Sequence, residues 1–523
     1  MCCLTCLRDS DLPTKCTKNS LMEILYLNEF VVKPNFSKMV ETFTGESLQY
    51  EVLNVENMNP RIKQVEYPIK SPIVIRAIEL EKELNEGKKL PFETIIKAYV
   101  GDCHAMGQKQ ITFVRQLLAA CLYPPLISKN IFPSDVNKRA NKILSTIKES
   151  MGCYGDIGGL AVVKKNVAKF IVRRDDFPCN SEHIVLTNGA STSVQYILEL
   201  FVRENENVGV MVPIPQYPLY SATIDEFGMK QVGYYLNEEK NWSLDISELK
   251  RSLDDARKTC SVKCLCVINP GNPTGQVLSY QNIQEIIKFA IEEGLFIIAD
   301  EVYQDNVYAE ECTFYSFKKV MKEMGNVAKD LQLASLHSCS KGFLGECGLR
   351  GGYVEFVGIS DEVFYHFNKL LFAQTSTNVT GQLVLYCLVN PPKNHEPSYD
   401  LFVQEKANIL SSLKKRARLV YENLNKLEGV NCKEIQGSHF AFPQIWLPEK
   451  AINQAKSLGQ APDFFYCMQL LQQTGICVVP GSSFYQKDGT YHYRLSILPS
   501  DDQLKALLEK LGEFHKGFLN FYK

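Results

Sequence analysis

The sequence predicts an α/β fold built around a mostly parallel sheet, and three observations carry that expectation. Past Gly152, short apolar runs alternate with amphipathic helical stretches, the order that builds strand–helix–strand units. The runs are apolar throughout and do not alternate with polar residues, as expected of strands covered on both faces. Beyond several of their carboxyl ends lie Gly, Pro, Asn or small hydroxyl residues, where open α/β sheets bind ligands.

Taken in order, residues 1–45 read as a polar extension and 58–64 as a basic, irregular stretch. Ser71-Pro72 opens a helix to Asn85, with Ser as cap and Pro in the first turn. Its Ile73, Ala77, Ile78 and Leu84 fall at helical spacing. A strand is predicted over 95–100, ended by Gly101-Asp102, then helices over 112–121 and 134–149. The sheet strands are expected at 184–187, 209–212, 263–268, 296–299, 333–336 and 352–356. Helices near 191–203, 216–228, 247–257, 279–293 and 315–324 lie between them. After Pro391-Pro392 a long helix over 399–427 leads to strands at 477–479 and 492–498. The predicted organisation is an extension (1–45), a large domain (146–397), and a smaller α+β domain assembled from both chain ends (46–145 and 398–523).

Bulk properties narrow the function. A net charge of -2 over 523 residues gives no basic footprint for nucleic acid or anionic membrane. No run of 18 apolar residues is present, so no membrane span is predicted. Eighteen cysteines are too sparse and irregular at this length for a disulfide framework, which favours a reduced, intracellular compartment. The N-terminus lacks the apolar core of a secretory signal. Asp9 and Asp11 speak against an acid-poor transit peptide, so the cytoplasm is expected over the mitochondrion. Cys3 and Cys6 have no second Cys or His pair nearby, and no metal site is expected; lipid attachment at Cys2 or Cys3 stays an alternative.

The residues that suggest chemistry follow the strands. Asn188-Gly189-Ala190-Ser191 precedes a helix whose N-terminal N–H groups suit a phosphate, or Ser191 is simply its cap. Tyr217, in the turn 213–218, can stack on a flat ring or serve the core. Asn272, in Asn269-Pro270-Gly271-Asn272-Pro273-Thr274-Gly275, can bond a phenolate or belong to a plain double turn. Asp300 ends a buried strand, where a carboxylate is costly without a cation or backbone donors; Tyr303 follows three residues later. Ser338-Cys339-Ser340-Lys341 offers an amine able to form a Schiff base with an aldehyde such as pyridoxal phosphate, with Ser338 and Arg350 as partners for the phosphate; a surface loop is the bland reading. Arg494, inside a predicted strand, suits a carboxylate clamp or a structural ion pair.

Together these segments resemble the class I aminotransferases of fold type I. The resemblance runs from about residue 45 to the end and is densest over 101–108, 213–222, 266–277, 299–308, 337–353 and 475–498. It implies a mostly parallel seven-stranded sheet, pyridoxal 5'-phosphate as cofactor, amino-acid and 2-oxo-acid substrates (alanine and 2-oxoglutarate first among them), and a homodimer. By the same resemblance Lys341 would carry the cofactor, Asp300 would face the pyridine nitrogen, and Asn272 and Tyr303 the ring hydroxyl. Tyr217 would stack on the ring, Ala190, Ser191, Ser338 and Arg350 would hold the phosphate, and Arg494 the substrate α-carboxylate. The chain departs from the family pattern at 155–159, at Thr192-Ser193, at 374–378 and at Ser438-His439-Phe440-Ala441. These departures leave open an aminotransferase or lyase for another amino acid, and a cofactor-binding protein of low activity.

Overall fold

The computed structural model describes residues 53–65, 71–148 and 150–523; the extension 1–45, with Cys2, Cys3 and Cys6, lies outside them. Seven strands form the main sheet: β1 (Ile184–Thr187), β2 (Val208–Ile214), β3 (Lys230–Tyr235), β4 (Ser261–Ile268), β5 (Phe296–Asp300), β6 (Leu333–Ser338) and β7 (Gly352–Val357). Their spatial order is β1-β7-β6-β5-β4-β2-β3, all parallel except β7, which runs antiparallel to both of its neighbours. Every residue of β1, β2, β5, β6 and β7 is buried, which explains why these strands read as unbroken apolar runs. Strand β3 is not among the strands that the sequence predicts. It is the edge strand, its burial alternates, and Lys230, Gln231 and Gly233 interrupt any apolar run.

Helices cover both faces of the sheet. Residues 190–199, 219–227 and 361–373 pack on one side around Val194, Val210, Ile298, Leu336 and Phe367. On the other side, 246–256, 280–293 and 317–323 pack around Leu265, Ile297, Ala299 and Leu333. Residues 161–175 and 379–389 cover the β1–β7 end, around Leu186 and Tyr353. The 379–389 helix is buried all round, so it carries no amphipathic period to detect.

A second sheet, of strands β8 (Val430–Asn431), β9 (Phe440–Ala441), β10 (Gln444–Ile445), β11 (Val479–Pro480) and β12 (Tyr491–Ser496), has its own core with helices Pro72–Asn85, Tyr399–Leu424, Pro462–Thr474 and Asp501–Tyr522. Three expectations are corrected here. Residues 95–100 make no strand: only Ile96 forms a bridge, to Ile476, after which the chain turns away and Tyr99 to Asp102 line a cavity. Residues 60–64, read as irregular, form a short helix. The helix expected over 134–149 stops at Leu144. Ser71 does occupy the N-cap position, but its hydroxyl makes no capping bond.

Candidate active site

The carboxyl ends of β1, β4, β5 and β6 open into a cavity of about 500 Å³. It is lined by all ten residues singled out from the sequence, Ala190, Ser191, Tyr217, Asn272, Asp300, Tyr303, Ser338, Lys341, Arg350 and Arg494. The sheet accounts for this convergence. Parallel neighbours put Asp300 and Ser338 at one edge, and antiparallel β7 keeps residues 339–351 at that same edge by pairing Ser338 with Gly352.

Lys341 is half-buried, and its Nζ donates to the Gly101 carbonyl at 2.7 Å. Burial disfavours its ammonium, the ionised forms of Tyr303, Cys347 and Cys103 favour it, and the balance lies above the ordinary lysine value. Asp300 is almost fully buried. Its Oδ2 accepts from the Tyr220 hydroxyl at 3.1 Å, while Oδ1 is enclosed without a well-formed hydrogen bond. Burial raises this carboxyl to about 6, against the pull of Tyr220, the Val302 N–H and the Lys341 charge. Tyr220 is not among the residues the sequence singles out; it lies in the first turn of the helix Leu219–Phe227, and its N–H donates to the carbonyl of Tyr217, just before the helix, at 3.1 Å.

At the opposite end, Gly189 caps the helix Ala190–Glu199 with φ 96°. Ser191 is therefore not the cap. A side chain at 189 would meet the Arg350 Nη2 at 2.5 Å, so glycine is what lets the guanidinium lie against the helix N-terminus. Arg350 is fixed there by bonds to the Asn188 and Cys347 carbonyls, both at 2.9 Å. Free N–H groups, a helix N-terminus and a guanidinium together make an anion cradle.

Arg494, on β12, reaches the cavity from the second sheet. Its Nη1 donates to Asn272 Oδ1 at 3.2 Å and its Nη2 to the Tyr99 carbonyl at 3.1 Å. Its guanidinium lies 4.1 Å from the ring centre of Phe440 and 5.0 Å from that of Phe484. Asn272 is thus tied to Arg494, a contact that no spacing in the sequence announced. Of the four places where the chain departs from the family pattern, Phe440 lines the cavity and His439 packs edge-on to Tyr303. Thr377, Asn378 and Ser193 bond around the β1 loop behind it.

The donor set fits pyridoxal 5'-phosphate. A buried carboxylate oxygen has no well-formed hydrogen bond where a cationic ring nitrogen would supply one, and an anion cradle and a primary amine share its cavity.

Comparison with known proteins agrees. The family model "Aminotransferase class I and II" matches residues 124–511, and the chain belongs to that family, whose cofactor is pyridoxal 5'-phosphate. Among its relatives, alanine aminotransferase 2 of Xenopus tropicalis is 52% identical over 476 residues, covering 90% of this chain and 91% of that protein. Human alanine aminotransferase 1 is 48% identical over 476 residues (90% and 96%). The structure named alanine aminotransferase from Pyrococcus furiosus superposes with a TM-score of 0.68 at 24% identity, covering 88% of this chain and 98% of that one, and shares the fold.

Proposed function

We propose that this chain transfers the amino group of L-alanine to 2-oxoglutarate, giving pyruvate and L-glutamate. The alanine aminotransferases related to it at about half identity over nearly the whole chain support the substrate pair. One observation carries the chemistry: the Lys341 amine, the incompletely bonded Asp300 carboxylate and the Gly189–Arg350 cradle share one cavity.

Pyridoxal phosphate, when bound, supplies an aldehyde for amine exchange and a ring that draws electrons from the substrate α-carbon. Lys341 holds the cofactor until the substrate amine takes its place; its freed Nζ then moves the proton from the substrate α-carbon. Asp300, kept in place by Tyr220, would pair with the ring nitrogen and favour its protonated form. Tyr303 and Asn272, both in the cavity lining, would bind the ring hydroxyl, and Tyr217 would stack on the ring. Ala190, Ser191, Ser338 and Arg350 hold the phosphate. Arg494 takes the α-carboxylate, exchanging carbonyl and amide acceptors for a charged one.

A homodimer, a cytoplasmic location and a division into larger and smaller domains around the two sheets complete this reading. One relative, from Dictyostelium discoideum, is named as mitochondrial, so fractionation tests the location. The purified chain's visible spectrum tests the chemistry. An imine absorption that bleaches with alanine and returns with 2-oxoglutarate is expected. A band indifferent to every amino acid would favour a binding protein, and no band would end the reading.

A further inference from the structure

Directly after the turn over 302–305 that carries Tyr303 stands Asn306, fully buried and outside the cavity lining. Its side-chain amide grips both backbone groups of Gly342. Oδ1 accepts from the Gly342 N–H at 2.9 Å, and Nδ2 donates to the Gly342 carbonyl at 3.3 Å. Gly342 follows Lys341 and has φ +66°, so the bend that turns the lysine toward the cavity is the one Asn306 holds. The backbone of Asn306 makes two more connections. Its N–H donates to the Tyr303 carbonyl at 2.7 Å, and its carbonyl accepts from the Ser438 N–H at 3.0 Å, two residues before Phe440. A side chain at Gly437 would sit 2.5 Å from that carbonyl, so the approach is as close as the backbone allows. One residue thereby joins the segments carrying Tyr303, Lys341 and Phe440.

Within the loop, the Gly345 N–H donates to the Lys341 carbonyl at 3.2 Å and the Cys347 thiol to the Ser340 carbonyl at 3.1 Å; the side chains that reach the loop from the 104–115 stretch act further along. Gln108 bonds the Phe343 carbonyl at 3.0 Å, the His104 ring is 3.0 Å from the Leu344 carbonyl, and Arg115 pairs with Glu346 at 2.9 Å. Those contacts fix where the loop lies; the Asn306 contacts fix the residue next to the amine.

We infer that Asn306 is a positioning residue for covalent capture of the cofactor: it sets the direction in which the Lys341 amine leaves its loop, in register with Tyr303 and Asp300. This rests on the reading of Lys341 given above. Misplacing a reacting atom by about 1 Å costs on the order of a hundredfold in rate, so loss of the clamp is read at the covalent step.

The molecule contains its own control. Asn282, buried in the helix Tyr280–Glu293, grips Leu244 in the same way, with Oδ1 accepting from its N–H at 3.2 Å and Nδ2 donating to its carbonyl at 2.8 Å, and it too lies outside the cavity lining. Asn306→Ala and Asn282→Ala therefore remove the same pair of bonds at different places.

The experiment strips the full-length proteins of cofactor and adds pyridoxal 5'-phosphate. Borohydride reduction and peptide mass then measure the fraction attached at Lys341. Asn306→Ala is expected to need at least about tenfold more cofactor for half-attachment. It is also expected to lose about a hundredfold in kcat with the KM for alanine within about threefold. Asn282→Ala should melt lower yet attach as the wild type does. If Asn306→Ala does not fold, Asn306→Ser is read in its place. Wild-type attachment in the Asn306 variant, or an equal loss in both variants, overturns the inference. A wild-type chain that captures nothing at Lys341 overturns the functional reading itself.

Discussion

Asp300 and Glu301 are adjacent, both carboxylates, both buried, and their partners belong to the two different core layers: Tyr220 packs with Val210 and Ile298, Phe317 with Leu265 and Ile297. Glu301 is completely engaged. Ser335 donates to its Oε2 at 2.6 Å, the Phe317 N–H donates to its Oε1 at 2.8 Å, and Arg174, which also binds Asp175 at 2.7 Å, stands 3.7 Å away. Asp300 has the Tyr220 hydroxyl on one oxygen and nothing well formed on the other. Burial raises both carboxyls, Asp300 to about 6 and Glu301 to about 7, but the hydrogen bonds of Glu301 are made within the protein, whereas Asp300 leaves one oxygen for what binds there. A buried polar group without its partners costs stability, so the open Asp300 oxygen is a cost that binding can offset.

Breaking the Glu301 side should show as unfolding. Arg174→Ala leaves Asp175 and Glu301 as buried carboxylates without their cation, and a loss of about 3–5 kcal/mol is expected, measured by denaturant unfolding of the cofactor-free protein. Breaking the Asp300 side should do the reverse. Asp300→Asn is expected to raise cofactor-free stability at neutral pH by up to about 3 kcal/mol, because a carboxyl raised from 3.8 to about 6 carries about two pKa units of 1.36 kcal/mol each. Turnover in that variant should fall by at least about a hundredfold.

The pH profile sharpens the contrast. Protonated in the fold at a higher pH than in the unfolded chain, Asp300 favours folding fully below about pH 4, and this contribution disappears as the pH rises to about 6. The stability difference between wild type and Asp300→Asn should therefore open between those values and stay constant above them. A difference independent of pH would show that Asp300 is not the group responsible. The smallest effect is expected at Arg494→Lys, which keeps the charge but loses the fork between Asn272 and Tyr99. The KM for the amino acid should rise about tenfold to a hundredfold with a smaller change in kcat.

The same contrast explains what could be read from the sequence. Asp300, Lys341 and Arg494 stood out because a charge within or beside an apolar strand is expensive, and that cost is visible in a single line of residues. The sheet was legible for a related reason, since strands buried on both faces have no polar positions. Edge strand β3 and the non-strand at 95–100 differ from the sequence expectation because their states depend on partners elsewhere in the chain: β2 beside the first and Ile476 beside the second. Tyr220, Asn306 and the Arg174–Glu301 set were invisible for the same reason. An amide or a hydroxyl looks ordinary until its distant partner is known, as Asn306 does until Gly342 is placed beside it.

Strand β7 carries a consequence of its own. Had it run with its neighbours, the chain would have needed a long crossover between Ser338 and Gly352; reversed, it returns at once and both ends of the short intervening span are stitched into the same ladder. Lys341 and Arg350 consequently belong to a single clasp hinged at one hem of the sheet. A ligand tugging on the guanidinium end tugs on the amine end as well, so an aldehyde lacking its anionic tail should meet a looser grip at both.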